Sequence, residues 1–230
     1  MKKSIRIVSA GLVMLLCSYT MYANELTFYA GPSFSKIGMN MGGMGYTPEM
    51  KFLTRFHAGI GYGIEINKNI TLEPRLNFAS KGFKSREIAA IIDYDEYGEY
   101  IYSNSTLRLN YLETPFLFKG VLPVDDKIKI NAFAGPYLAI GLNGRAVSKY
   151  KGFSYKEKYD VQFGDESGMR RFDMGIKLGG GFEYKSYTIQ LFYDQGFLNI
   201  ARGNGYESKS KNKSLGVSLG YILPTKQKTS

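Results

Sequence analysis

The chain has 230 residues, enough for one domain with a full core, and its 30 Lys and Arg against 20 Asp and Glu give a formal net charge of +10. Its only cysteine, Cys17, lies within the first 23 residues, so the rest of the chain can form no disulfide, thiolate metal site or thiol nucleophile. It combines 27 Gly, 19 Tyr and 15 Phe with no Trp and a mean hydropathy of −0.22. No later segment has the roughly 18 consecutive apolar residues of a transmembrane helix. This composition fits a β-barrel, in which only every second residue has to be apolar.

Residues 1–23 predict a secretory signal peptide. Its first six residues carry three cations, residues 8–16 form an apolar centre, and Ala23 supplies the small residue before the cut. Cleavage there leaves 27 cations against 20 acids, a net charge of +7. The expected domain organisation is a signal peptide at 1–23, a barrel at 24–223 and a polar tail at 224–230.

Two alternatives to cleavage stay open. An uncleaved membrane helix would need a longer apolar run to cross a bilayer core about 30 Å thick. A lipoprotein acylated at Cys17 would normally have a small residue before that cysteine, and this chain has Leu16. Both observations favour cleavage.

Eight segments alternate apolar and polar residues, which is the period of a β-strand with one apolar face. In one of them, Phe56 and Ile60 share a face, and Arg55 and Glu65 share the other. Several segments alternate over ten or more residues, as the roughly 9–11 tilted residues of a membrane-spanning strand would, whereas strands of soluble sandwiches average about 5–6. The segments are 25–37, 55–66, 70–81, 105–119, 128–143, 171–184, 188–194 and 215–221.

The segment 105–119 is the least regular of the eight. It begins with Leu107, Leu109 and Tyr111 on its apolar face and Arg108 on its polar face, and the alternation then slips near 113–115. Because a proline falls there and cannot donate to a strand ladder, the sequence predicts a bulge or a bend.

The connections between these segments alternate in length. Short ones lie at 67–69, 121–126 and 185–187. Long ones lie at 39–51, 83–104, 145–169 and 198–212. Short turns at one end and long loops at the other are typical of membrane barrels. The prediction is therefore an all-β fold: an eight-stranded antiparallel up-and-down transmembrane β-barrel in the outer membrane of a Gram-negative bacterium.

The polar face of such a barrel must line the lumen. Eight strands leave a lumen just wide enough for side chains to fill, so opposed charges predict a paired plug, and an ion-conducting pore is the alternative. Glycines such as Gly61 and Gly179 make room for large side chains there. Tyrosines supply interfacial girdles on the other face: Tyr62, Tyr184, Tyr187, Tyr193 and Tyr221. The predicted lumen network is Arg55, His57, Glu65, Glu73, Arg75, Arg108, Glu113, Asp173, Lys177, Glu183 and Asp194.

Several of these segments resemble the PorT family of Bacteroidetes outer-membrane barrels. The residues that carry the resemblance lie at 110–119 (NYLETPFLFK), 134–138, 173–184 and 197–200, and the likeness extends over about 24–223. It implies an eight-stranded outer-membrane barrel and, by analogy with the family name, a role as an accessory factor in protein secretion. Thr114 departs from the aliphatic residue usual in that strand, and the polar end after Leu223 departs from the aromatic residue on which many outer-membrane proteins end.

Nothing in the sequence predicts an enzyme, a cofactor or a metal site. His57 is the only histidine, and a structural hydrogen bond in the lumen is favoured over a catalytic base because no serine motif adjoins it. The acidic run at 93–99 lacks the spacing and the glycine of the twelve-residue calcium loop, so solvated surface charge is favoured there.

Surface recognition is expected in the long loops. Tyrosine is enriched at protein contacts, and lysine suits anionic lipopolysaccharide. The expected partners are outer-membrane lipid and lipopolysaccharide, and a protein partner for the long loops stays open. The barrel is expected to be a monomer, and nucleic-acid binding is not expected. The surface-loop candidates are Tyr94, Tyr97, Tyr100, Lys156, Lys158 and Lys211.

Three functions follow from these features. The leading hypothesis is a non-enzymatic barrel with a plugged lumen and long surface loops, structural or partner-binding. The second is the accessory role in secretion. The third is a soluble lipocalin-like carrier of an apolar ligand, which requires the apolar face to point inward.

Overall fold

The computed structural model describes residues 23–41, 49–92, 99–150, 156–164, 168–201 and 208–224. The signal peptide predicted at 1–23 lies almost wholly outside these residues. No helix in the described part of the chain is long and apolar enough to cross a membrane. The strands are β1 Ala23–Met41, β2 Glu49–Lys51, β3 Leu53–Asn67, β4 Ile70–Ile92, β5 Glu99–Pro123, β6 Ile128–Tyr150, β7 Lys156–Val161, β8 Phe172–Tyr184, β9 Tyr187–Gly196 and β10 Ser208–Pro224.

Eight of these strands close into a ring. Each pairs antiparallel with the next in the order β1, β3, β4, β5, β6, β8, β9, β10, and β10 pairs with β1. Phe28 of β1 lies opposite both Ile60 of β3 and Tyr221 of β10. The short strands β2 and β7 add to the edges of β4 and β6. The predicted eight-stranded antiparallel barrel is confirmed.

The apolar rows of the strands face outward. Side chains as large as Phe118 and Leu191 are exposed by 58% and 59%. An apolar surface of this extent is unusual on a soluble monomer and suits lipid. It contradicts the carrier hypothesis, which needs these rows inside. The outward belt includes Phe28, Phe34, Phe56, Ile60, Ile70, Leu76, Leu112, Phe116, Phe118, Ile130, Leu138, Ile140, Leu142, Phe172, Leu178, Phe182, Ile189, Leu191, Leu215 and Leu219.

Tyrosines collect on this belt near the short turns. Tyr184, Tyr187 and Tyr221 are all exposed, and the rings of Tyr187 and Tyr221 lie 5.3 Å apart between centroids. Short turns are periplasmic in such barrels, so this aromatic girdle marks the periplasmic boundary of the membrane.

Two of the long connections prove to be largely strand. The β4–β5 hairpin stays paired up to Ile92 and Glu99, inside the expected loop 83–104. Likewise β6 runs on to Tyr150, and β7 pairs back along it. The alternation gave no sign of these extensions because a hairpin beyond the membrane does not need an apolar outer face.

The expected bulge at 113–115 is also wrong. Strand β5 is continuous, and every odd residue from Leu109 to Lys119 is buried. The register shift lies instead between Asn110 and Tyr111 against β6, where Leu142 is the extra residue. Leu109 and Tyr111 therefore face the interior, which is apolar at this level.

Candidate functional site: a filled interior and a basic outer cleft

Glu73 is the centre of an ion-pair cluster in the periplasmic half of the barrel. One of its carboxylate oxygens accepts hydrogen bonds from Arg75 Nε at 2.6 Å and from the Tyr29 hydroxyl at 2.5 Å. Its other oxygen lies 3.5 Å from Lys119 Nζ. Arg75 also donates to Gln190 Oε1 at 3.0 Å, so four strands are tied together across the lumen.

Lys119 extends this cluster to β8. Its ammonium donates to Glu183 Oε1 at 3.0 Å and lies 3.8 Å from Glu25, while Asn131 donates to the same Glu183 oxygen at 3.0 Å. Lys119, Asn131 and Glu183 are each buried. A charge removed from water in this way is tolerated only when it is paired and hydrogen-bonded, as these are.

A second cluster lies above the first and joins two lysines to two carboxylates. Lys81 Nζ lies 2.6 Å from Glu113, and Lys177 Nζ lies 3.2 Å from Glu113 and 2.7 Å from Asp194. Lys81 completes the square at 3.9 Å from Asp194. The ammonium groups also lie over aromatic rings, Lys177 over Phe192 at 4.1 Å. Opposite charges are thus balanced at the middle of the barrel.

The extracellular half of the interior is mainly apolar, although serines such as Ser85 and Ser103 are also buried there. Asp173, which accepts hydrogen bonds from Asn212 at 2.9 Å and Tyr137 at 3.2 Å, marks the boundary. Above it the side chains pack as one hydrophobic cluster, including two residues from outside the barrel strands. Its members are Ile37, Phe83, Leu109, Tyr111, Tyr137, Ala139, Phe163 and Ile200.

Glycines make room for the large interior side chains. A Cβ atom at Gly61 would lie 2.7 Å from Glu73 Oε1, and one at Gly179 would lie 2.5 Å from the ring of Phe133. Both contacts are shorter than side chains accept in a close-packed interior. Because these glycines have no Cβ atom, the interior side chains can fill the space beside them.

Most of the predicted lumen residues lie inside the barrel, but three of them lie elsewhere. Glu65 is exposed near the periplasmic turn. Arg108 faces outward, because the odd residues of β5 point in. Arg55 donates from Nε to Ser80 Oγ at 2.8 Å and lines a cleft on the outer side. The members found inside are His57, Glu73, Arg75, Glu113, Asp173, Lys177, Glu183 and Asp194.

Lys119 was not predicted in the network. It follows a run of apolar residues that hides the alternation, yet it has the same parity as Glu113. An unbroken count of odd positions from Glu113 onward would have placed it inside.

His57 contacts a serine that the sequence did not suggest. Its Nε2 lies 2.7 Å from Ser218 Oγ, and its ring meets Phe192 edge-on at 4.9 Å between centroids. Its Nδ1 has no hydrogen-bond partner among the described residues, so no carboxylate orients the ring as one does in a hydrolytic triad. Both side chains are buried. The arrangement therefore lacks two requirements of an acyl-transfer site, an orienting group and access for substrate.

A cleft of about 690 Å³ lies on the outer face of β5, β6 and β7, just above the apolar belt. Asn110 and Asn143 form its floor and are hydrogen-bonded to each other at 2.8 Å. Four arginines and one carboxylate line it: Arg55, Arg108, Arg145, Arg171 and Asp160. The cleft is thus strongly basic and faces away from the plugged interior.

The surface-loop candidates are only partly placed. Lys156 and Lys158 lie exposed on β7, and Lys211 is half-exposed on β10. Tyr94 and Tyr97, with the acidic residues at 93–96, lie outside the described residues, as does the side chain of Tyr100. No group of side chains that could hold a metal ion is found in the described ranges.

A ring of eight paired strands with an apolar outer belt and paired charges inside is the architecture of an outer-membrane β-barrel protein. The chain belongs to the outer membrane protein beta-barrel domain family, whose model matches residues 25–202. Its location is the outer membrane of a Gram-negative bacterium. No curated protein sequence matches it.

Solved outer-membrane barrels are similar to this chain. The attachment invasion locus protein Ail of Yersinia pestis is 14% identical, with a TM-score of 0.34 over 87% of this chain and 99% of that one. Neisserial surface protein A is 12% identical, with a TM-score of 0.42 over 85% and 96%. The outer membrane protein OprG of Pseudomonas aeruginosa is 9% identical, with a TM-score of 0.42 over 88% and 97%. At these identities the likeness concerns the fold alone.

Proposed function

We propose that this protein is a non-enzymatic, non-conducting barrel that anchors an extracellular surface in the outer membrane. The observation that carries the proposal is the filled interior, with two ion-pair clusters below and a hydrophobic cluster above. The small cavity beside the second ion-pair cluster, lined by His57, Lys81 and Asp194 among others, holds only about 10 Å³. That volume is at the lower limit for a single water molecule, so it offers no path for hydrated ions.

Cysteine labelling tests whether water reaches the interior. Because the predicted mature chain has no cysteine, a single engineered thiol gives no background. Ser214→Cys changes one buried atom beside the central cavity, and Lys158→Cys on β7 is its exposed control. In folded protein, a charged methanethiosulfonate reagent should modify the control within minutes and leave Cys at 214 unmodified until the barrel is denatured.

Conductance gives the second measurement. The wild-type barrel, reconstituted in planar bilayers, should show no steady channel under conditions in which a porin does. Rapid labelling at position 214, or steady open channels, would contradict a closed lumen. The heat-dependent mobility of folded barrels on gels confirms that each preparation is folded.

A role in secretion is a separate hypothesis, and it depends on the resemblance to the PorT family. The described contacts supply no observation that favours it over surface display. Deleting the gene and comparing the secreted proteins tests it, and an unchanged set of secreted proteins would count against it.

A further inference from the structure

Two arginines lie directly opposite each other on the outer face of the barrel. Arg108 of β5 and Arg145 of β6 are cross-strand partners, and both side chains are exposed. Like charges in this position repel one another and destabilise the sheet. An anion seated between the two guanidinium groups would convert that repulsion into attraction.

The acid available in the cleft does not neutralise this charge. Asp160 lies 3.1 Å from Arg145, but the two side chains are 76% and 59% exposed, and such surface pairs contribute little. Among the described residues no carboxylate pairs with Arg108. Arg171 donates to the neutral carbonyl of Phe163 at 2.9 Å, and Arg55 to a serine hydroxyl. Four guanidinium groups thus converge on a cleft that holds one carboxylate.

The floor of the cleft coincides with the upper edge of the apolar belt. On β6 the outward residues Leu138, Ile140 and Leu142 are all exposed; Asn143 follows Leu142 directly, and Arg145 comes two residues later. On β5 the outward residues likewise change from apolar to polar between Leu112 and Asn110. A molecule in the cleft would therefore have arginines beside its polar end. The rest of the molecule would lie along an apolar track, the outward row Leu138, Ile140 and Leu142.

We propose that this cleft binds the phosphate-bearing headgroup of an outer-leaflet lipid, with its acyl chains along Ile140 and Leu142. Arginine suits phosphate because its planar fork donates two parallel hydrogen bonds to one group. The cleft lies at the end of the barrel opposite the short turns, which places it in the outer leaflet. A soluble anion would match the arginines and leave the apolar track unused, so the geometry favours a lipid.

The basic surface continues above the cleft. A second cleft of about 280 Å³ is lined by Lys84, Arg86 and Lys149 among others. On its far side Lys149 lies opposite Lys156 of β7, a further pair of like charges. This continuation suits a headgroup that carries more than one phosphate.

Native mass spectrometry of the full protein in detergent tests the proposal, with bis-phosphorylated lipid A as the probe. The wild type should retain one lipid A more tightly than its dephosphorylated form. Arg108→Gln with Arg145→Gln should weaken retention about tenfold or more, because two charge-assisted contacts are lost. Equal retention of the dephosphorylated lipid, or an unchanged affinity in the double variant, would overturn the proposal.

A matched control exists on the other side of the barrel. Lys36 and Lys213 are also outward cross-strand partners, and they lie outside the arginine cleft. Lys36→Gln with Lys213→Gln removes the same charge and should change retention by less than about threefold, since these half-exposed lysines lie outside the cleft and salt screens their attraction for a lipid bound there. An equal loss in this control would show general charge attraction and overturn a specific site.

Two further arms separate the alternatives. Inorganic phosphate should compete only weakly with lipid A, because it cannot contact the apolar track. If phosphate at the same concentration as lipid A displaced the lipid, the cleft would be a site for free anions and the lipid proposal would be contradicted. If the glutamine variant does not fold, Arg108→Lys with Arg145→Lys keeps the charge, loses the fork, and should still weaken retention severalfold. The inference rests on the placement of this barrel in the membrane and not on its closed lumen. Labelling at position 214 reports the interior alone, so either proposal can fail without the other.

Discussion

The ammonium group of Lys81 lies 2.6 Å from a carboxylate oxygen of Glu113, at a level of the barrel where both side chains are almost fully buried. They come from neighbouring strands, and their partners Lys177 and Asp194 come from β8 and β9 on the other side of the lumen. A contact of this kind does not hold adjacent strands together, since the backbone ladder already does so. It fills the lumen and fixes the cross-section of the ring.

The first prediction concerns this square of charges. Lys81→Met removes one cation and leaves Glu113 and Asp194 to share Lys177. Breaking a buried pair by removing one partner leaves an uncompensated charge, so the free energy of unfolding should fall by about 3 kcal/mol. Urea titration of the barrel in phospholipid vesicles measures the change.

The matched control for that variant lies three residues along the same strand. Lys84 is exposed above the belt, and Lys84→Met should change stability by less than about 0.5 kcal/mol. Restoring neutrality with Lys81→Met and Glu113→Gln together should cost less than the two single changes added. An additive double variant would show that the two side chains are not coupled in the folded barrel.

The second prediction concerns interior space. Gly179→Ala puts a methyl group 2.3 Å from the backbone oxygen of Leu191 and 2.5 Å from the Phe133 ring, and it should destabilise the barrel by about 1–3 kcal/mol through overpacking. Gly120→Ala is the control, because its nearest neighbour is an oxygen of Ala132 at 3.8 Å. Equal stability of the two variants would show that both the ring of Phe133 and the backbone at Leu191 have room to move.

The third prediction concerns the contact between His57 and Ser218. Because both are buried and no acid orients the ring, the serine should not be an activated nucleophile. A fluorophosphonate probe should leave Ser218 unmodified in the folded barrel while labelling a serine hydrolase in the same tube. Modification at that residue, located by peptide mapping and lost in Ser218→Ala, would contradict the non-enzymatic proposal.

The sequence identified most of the periplasmic half of the barrel, though it missed Lys119 and misplaced Glu65, because one rule governs that half. There the lumen is polar and the outer face apolar, so the alternation at Glu73, Arg75 and Glu183 identifies both faces at once. The same rule assigned Leu109 and Tyr111 to the wrong face. At their level the interior is apolar, and Phe163, which lies outside the barrel strands, contributes to it.

The basic cleft could not be recognised from the sequence for a similar reason. Arg108 and Arg145 are 37 positions apart in the sequence. They pair across β5 and β6 only because of a register shift at Leu142, which no local sequence pattern predicts. Arg108 was expected among the lumen charges because it alternates with leucines. The structure shows that those leucines face the interior, so the arginine faces outward.

The last prediction tests which face meets the lipid. Leu191 lies in the middle of β9 and is 59% exposed on the outer face. If that face meets hydrocarbon, Leu191→Arg should lower the free energy of unfolding in vesicles by about 2–4 kcal/mol, since a cation at the bilayer midplane has to be desolvated. Val124→Arg, in the exposed short turn between β5 and β6, should change it by about 1 kcal/mol or less. A large loss at both sites would indicate a general intolerance of charge, and a small loss at both would place Leu191 in water and contradict the outward belt.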